Sequence, residues 1–161
     1  MKTKIVKDYT YTGFIFPVEL DEVEMVYYGG EWHPKLDILK LSEQVIEKLA
    51  FKSYRLTGDE IRFIRAHYGM SMRLFAEEVA HETHSAVQKW EARKDQETNM
   101  NKNTELAIRN YIIEQLLNPE EKLSPLYTRT TRARKFLTKK DNASTVLHIS
   151  ECKPENKAAL N

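Results

Sequence analysis

Leu56-Thr57-Gly58-Asp59-Glu60-Ile61-Arg62-Phe63-Ile64-Arg65 opens the stretch that decides the fold, and His81-Glu82-Thr83-His84-Ser85-Ala86-Val87-Gln88-Lys89-Trp90-Glu91 closes it. Thr57 and Glu60 have capping-box spacing: the Thr oxygen takes one orphan amide of a new helix, and the Glu carboxylate reaches back to the Thr amide. Ile61, Ile64 and Arg65 then fall on adjacent turns. Tyr68-Gly69 is the expected stop, because glycine accepts the left-handed cap geometry. Ser71 predicts the cap of a second helix running through Ala80, with Leu74, Phe75 and Val79 inward. Thr83 predicts the cap of a third, with Val87 and Trp90 inward. Two short helices joined by the tight turn Ala80-His81-Glu82, the second ending in a buried aromatic residue plus Glu, follow helix-turn-helix grammar.

Downstream, Thr104 is expected to cap a fourth helix carrying Leu106, Ile108, Ile112, Ile113, Leu116 and Leu117, stopped by Asn118-Pro119. Upstream, Asp8 to Phe16 is rich in aromatic and β-branched residues, a strand signature that Pro17 interrupts. Val18 to Tyr27 alternates apolar and acidic residues over much of its length, as a half-buried strand does. Gly29-Gly30 marks a turn. From Leu36 the period changes, and Leu36, Leu39, Leu41, Val45, Ile46 and Leu49 fit one helical face. The expected fold is α+β. Residues 1–53 form a β-hairpin module with its helix, 54–118 a helical DNA-binding domain, and 119–161 a basic C-terminal extension in which 145–149 has strand character.

The chain has 161 residues, 25 Lys+Arg against 24 Asp+Glu, and 41% hydrophobic residues. That is enough apolar content for a packed core and argues against wholesale disorder. Charge is distributed unevenly, at −1 over 1–56, −2 over 57–117 and +4 over 118–161. There is no apolar run of membrane-spanning length and no apolar signal core at the N-terminus, so a cytoplasmic protein is expected. One cysteine, Cys152, excludes an intrachain disulfide framework and a cysteine-rich zinc finger.

With Val87 and Trp90 inward, the third helix turns His84, Ser85, Gln88 and Lys89 outward. A recognition helix needs such short or polar side chains against base edges: Lys donates to guanine acceptors, Gln pairs with adenine, and Ser reaches either. Ser71 and Arg73 at the start of the second helix, and Arg93, Lys94, Asn99, Asn101 and Lys102 after the third, are candidate phosphate contacts. Taken singly, each of these residues also fits an ordinary solvated helix face.

Thr57 to Arg65, Ser71, Phe75-Ala76, Val87 and Lys89-Trp90-Glu91 together resemble the XRE (lambda-repressor-like) helix-turn-helix family. The resemblance covers roughly residues 56–117. It implies a homodimeric transcriptional repressor binding a double-stranded DNA operator, with Ser85 and Lys89 at the main base-reading positions. With residues 1–56 added, the plan resembles antitoxins of the MqsA/HigA type, in which a small zinc-binding β module precedes the helix-turn-helix. Here Tyr27-Tyr28-Gly29-Gly30 stands where that module's cysteine turn would be, so the expectation is a zinc-less relative with no cofactor. The resemblance also implies an autoregulating type II antitoxin, with residues 1–50 available to a toxin through Phe14, Phe16, Tyr27, Tyr28 and the acidic row Glu19, Asp21, Glu22, Glu24. A module that neutralises a partner without reading DNA is the alternative. His81 and His84 are three apart, which is not a zincin spacing. Glu77-Glu78 reads as helix surface, and Cys152 lacks a neighbouring base. No enzyme is expected.

Overall fold

The computed structural model describes residues 1–116 and 147–150. The fold is mixed α+β, with a small sheet and five α-helices among the described residues. It divides into two compact units, one of residues Met1–Val45 with 147–150, the other of residues 46–116, the division falling inside a helix. Leu117, the Asn118-Pro119 stop and the basic extension other than residues 147–150 lie outside the described residues.

The first unit is built on β2 (Val18–Tyr28), which pairs antiparallel with β1 (Thr3–Tyr11) along one edge. Its other edge takes β3 (Glu31–Pro34), antiparallel, and β4 (Leu147–Ile149), parallel. Gly29 and Gly30 make the β2–β3 turn with φ of 62° and 91°, a region open to glycine at no steric cost. The first strand was expected over 8–16 and lies over 3–11 instead. The Asp8–Phe16 run has strong strand residues, but β2 pairs with what lies opposite it, and that is the Lys-Thr-Lys-Ile-Val-Lys segment before Asp8. Phe14 and Phe16 sit in the connection that follows, with Phe14 edge-on to Tyr11 at 5.1 Å.

Both strands carry a matched change of phase. Val6 and Val23 face each other on the inner face, as do Tyr9 with Leu20 and Tyr11 with Val18, although the parity has switched. The switch falls at Asp8 and Asp21, which lie between the Lys7–Glu22 and Tyr9–Leu20 pairs and are themselves out of the register, and Asp8 takes a left-handed φ of 51°. Two like charges directly opposite disfavour regular pairing, and Asp tolerates the left-handed conformation better than most residues. The doublet Asp21-Glu22 is the mark of this slip in β2. Val18, Leu20, Val23 and Met25 are buried, with Leu41, Val45, Leu147 and Ile149 completing the unit's buried apolar set.

α1 (Ile38–Phe51) is capped by Asp37, whose carboxylate accepts from the Lys40 amide at 3.1 Å. Leu41, Val45, Ile46 and Leu49 are buried as their spacing predicts, but Leu39 is 80% exposed, because it lies a quarter turn off that face.

The second unit holds α2 (Gly58–His67), α3 (Met72–Phe75), α4 (His84–Glu91) and α5 (Lys102–Leu116). The Thr57–Glu60 capping box is complete, and Gly69 turns the chain after α2 with φ 64°. α3 continues into a π-helical segment, Ala76–Ala80, where the predicted second helix was regular throughout. Leu74 was expected inward and is exposed, while Phe75, Ala76, Val79 and Ala80 are buried. α5 begins earlier than Thr104: Asn101 caps it, taking the Asn103 amide at 2.8 Å, and the Thr104 hydroxyl donates instead to Glu82 at 3.1 Å. Of the apolar residues expected on α5, Leu106, Ile108, Ile112 and Ile113 are buried and Leu116 is exposed.

A buried ionic network ties this unit together. Arg109, fully buried, donates to the carbonyls of Leu49, Ala50, Lys52 and Tyr54 at 2.6–3.3 Å and to Glu105 at 2.8 Å. It thereby satisfies carbonyls at the C-terminal end of α1 that have no helical partner. Glu105 also accepts from Arg55 and from the Leu56 amide. Lys52 is paired with Glu60 at 2.7 Å, each side chain only 4% exposed.

Candidate nucleic-acid interface

α4 is defined by what holds it. Thr83 caps its N-terminus, the hydroxyl accepting from the Ala86 amide at 3.2 Å. Val87 and Trp90 are buried, and α2 and α3 both pack against the helix. At its C-terminal end, Glu91 receives both forks of Arg65, at 2.6 and 3.0 Å, while Arg65 also donates to the Met70 carbonyl at 2.8 Å. A bidentate pair of this kind fixes orientation as well as distance. The bond to Glu91 raises the Arg65 pKa above its ordinary value, against the opposing effect of partial burial.

Backbone meets backbone where α2 begins. A Cβ on Gly58 would collide with the Trp90 carbonyl and crowd the Lys94 amide. The Gly58 amide donates to Gln96 at 3.2 Å and the Asp59 amide to Lys94 at 2.8 Å, so the loop after α4 takes amides that α2 itself leaves unpaired. Burial and the neighbouring Asp95 carboxylate raise the Asp59 pKa, with Arg62 and Lys94 opposing.

The turn into α4 is made by His81, whose φ of 53° and ψ of 45° are left-handed. The Glu82 amide closes it on the Ala76 carbonyl at 2.9 Å.

All eleven residues singled out as DNA contacts are exposed: Ser71, Arg73, His84, Ser85, Gln88, Lys89, Arg93, Lys94, Asn99, Asn101 and Lys102. Ser85, Gln88 and Lys89 share the face of α4 opposite Val87 and Trp90, joined there by exposed Ala92 just past the helix. His84 is the first residue of α4 and flanks that face. Several of them have other bonds. The Ser71 hydroxyl caps α3, accepting from the Leu74 amide at 3.1 Å; the Ser85 hydroxyl lies 3.1 Å from that of Thr83; and Arg93 donates its Nε to the Glu97 carbonyl. Lys94 bends the chain with a left-handed φ of 53°. Arg73 lies on α3 and Lys102 opens α5.

From Thr83 to Lys94 the only acidic residue is Glu91, and it is turned to Arg65. The outward face of α4 therefore carries one charge, Lys89, among neutral hydrogen-bonding side chains. Sequence reasoning missed the residues that set this face, above all the Arg65–Glu91 clamp and the bare Gly58 contact. Arg65 and Glu91 are 26 positions apart and leave no local signature, but a glycine in the first turn of a capped helix is a visible sign of close approach. Among the described residues, no three His, Cys, Asp or Glu side chains form a group able to hold a metal ion, and no helix is long and apolar enough to cross a membrane.

Comparison with protein-family models, with curated proteins and with solved structures finds no match to this chain.

Proposed function

We propose that the protein binds DNA sequence-specifically, as a homodimeric transcriptional repressor whose α4 enters the major groove. One observation carries this reading: α4 is held by its cap, its buried Val87 and Trp90 and the Arg65 clamp, leaving Ser85, Gln88 and Lys89 exposed on one acid-free face. Those side chains match the donor and acceptor chemistry of base edges. Two such helices in a dimer would read half-sites about 34 Å apart. Residues 57–117 carry a net −2, so binding rests on this local face more than on a general positive field. In the repressor reading the operator lies upstream of the protein's own gene, as an autoregulating antitoxin requires.

The test is a salt-titrated binding measurement on that upstream DNA and on random DNA. Lys89→Ala is expected to cost about 1–3 kcal/mol on the specific site and much less on random sequence. Equal loss on both would make Lys89 a phosphate contact, and no binding at low salt would end the DNA reading.

A second reading, a module that neutralises a partner protein such as a toxin, is favoured by the 74% exposure of Tyr28 beside half-exposed Tyr27. The acidic row is less available than the sequence suggests. Glu19 already accepts from Thr10, Glu24 pairs with Lys35 and Glu22 with Lys7. Deleting residues 1–50 would be a poor test, because it removes Leu49 and Ala50, whose carbonyls Arg109 holds. Tyr28→Ala in the full chain tests it instead: unchanged capture of the neighbouring gene's product would remove this surface from the reading.

A further inference from the structure

We infer that β1 is the dimer-forming edge, joining a second copy of this chain antiparallel about a two-fold axis at Ile5. The inference deepens the homodimer of the proposed reading but does not depend on DNA binding. β1 has no strand on its outer edge among the described residues. Which of its main-chain groups point outward follows from the ladder. The Tyr27 amide donates to the Lys2 carbonyl, so Lys2 and Tyr27 are a hydrogen-bonded pair, and pairs alternate along an antiparallel ladder. Lys4 and Val6 therefore bond inward to β2, while Thr3, Ile5 and Lys7 direct their amides and carbonyls away from it. On β2's other side the Lys35 amide donates to the Glu24 carbonyl, the complementary parity.

Charge selects the register. Lysines on an edge strand discourage indiscriminate pairing, and Lys2, Lys4 and Lys7 do so here unless the pairing keeps them apart. Axes at Lys4 or Lys7 put each lysine against itself, and an axis at Thr3 opposes Lys2 to Lys4. An axis at Val6 needs Tyr9, beyond the left-handed kink at Asp8. An axis at Ile5 makes all its hydrogen bonds within Thr3–Lys7, short of that kink. Thr3 and Lys7 exchange bonds with the second copy's Lys7 and Thr3, Lys4 lies against Val6, and Lys2 lies against Asp8. It also brings Ile5, 67% exposed in the single chain, against its own copy.

The experiment uses the full-length chain without DNA. Light scattering at micromolar concentration is expected to give about twice the 18.9 kDa chain mass, and Ile5→Lys is expected to give a single-chain mass with an unchanged circular-dichroism spectrum. Residues opposite each other in a hydrogen-bonded pair lie about 5.5 Å apart at Cα, inside the roughly 4.4–6.8 Å window of a disulfide. In a Cys152→Ser background, Ile5→Cys should therefore crosslink two chains under mild oxidation, and Lys7→Cys should not. A monomeric wild type would overturn the inference and leave the edge to another protein's strand. A dimer that survives Ile5→Lys, or that crosslinks at Lys7→Cys in preference to Ile5→Cys, would also overturn it. None of these outcomes bears on whether α4 reads DNA, which the Lys89→Ala titration decides separately.

Discussion

Lys35–Glu24 and Lys52–Glu60 are ion pairs of similar length, 2.9 and 2.7 Å, in the two units of the chain. The side chains of the first are 52% and 36% exposed, and those of the second 4% each. In the sheet unit, charges decorate the outer face across neighbouring strands, where water and salt screen them and each pair contributes little. In the helical unit, charges replace part of the core. Lys52, Glu60, Glu105 and Arg109 are all buried, and each finds hydrogen-bond partners. A buried pair contributes little net stability over an apolar isostere, yet losing one partner is severe because the other charge is stranded. The sheet unit should thus tolerate charge substitution and the helical unit should not.

The sharpest way to break that contrast is Arg109→Met. It strands the carbonyls of Leu49, Ala50, Lys52 and Tyr54 and takes from Glu105 one of its two cationic partners, leaving Arg55, and is expected to cost about 3–5 kcal/mol in urea unfolding. Alkaline titration sharpens it from another side. Burial, helped by Tyr111, pushes the Tyr68 hydroxyl up to about 12. Between the ordinary tyrosine value near 10 and 12, the folded state keeps a proton that the unfolded chain releases. Stability should therefore fall as pH rises through that window. Tyr68→Phe is expected to flatten the fall, read as unfolding midpoints at pH 9 and 11; an unchanged slope would refute the assignment. His81→Gly relieves a left-handed non-glycine residue and is expected to stabilise the helical unit by about 0.5–1 kcal/mol, offset in part by glycine's freedom in the unfolded chain. Lys35→Ala, the matched surface control, should cost no more than about 1 kcal/mol and less at high salt.

What was legible in the sequence was mostly local. The Thr57–Glu60 box, the Ser71 and Thr83 caps and the Gly69 and Gly29-Gly30 turns are each written within four residues, and each appears where its chemistry puts it. Val87 and Trp90 were likewise readable as inward, so the exposed face of α4 followed. The misplaced first strand shows the limit. Intrinsic preference favoured Asp8–Phe16, and partner geometry chose Thr3–Tyr11. Leu39 and Leu74 show that an apolar residue near a buried face is not necessarily on it. The ionic core was not readable, since Arg55, Glu105 and Arg109 look like solvated helix charges until residues some 50 positions apart are brought together.

Arg109 lies 55–60 positions after the carbonyls it gathers. A chain made from its N-terminus folds what has emerged, and the end of α1 emerges long before α5 does. Until then Leu49, Ala50, Lys52 and Tyr54 must keep their carbonyls in water. The C-terminal turn of α1 is thus expected to fray on the ribosome and close only when α5 arrives, making the completion of the first helix one of the last events in the birth of the second unit.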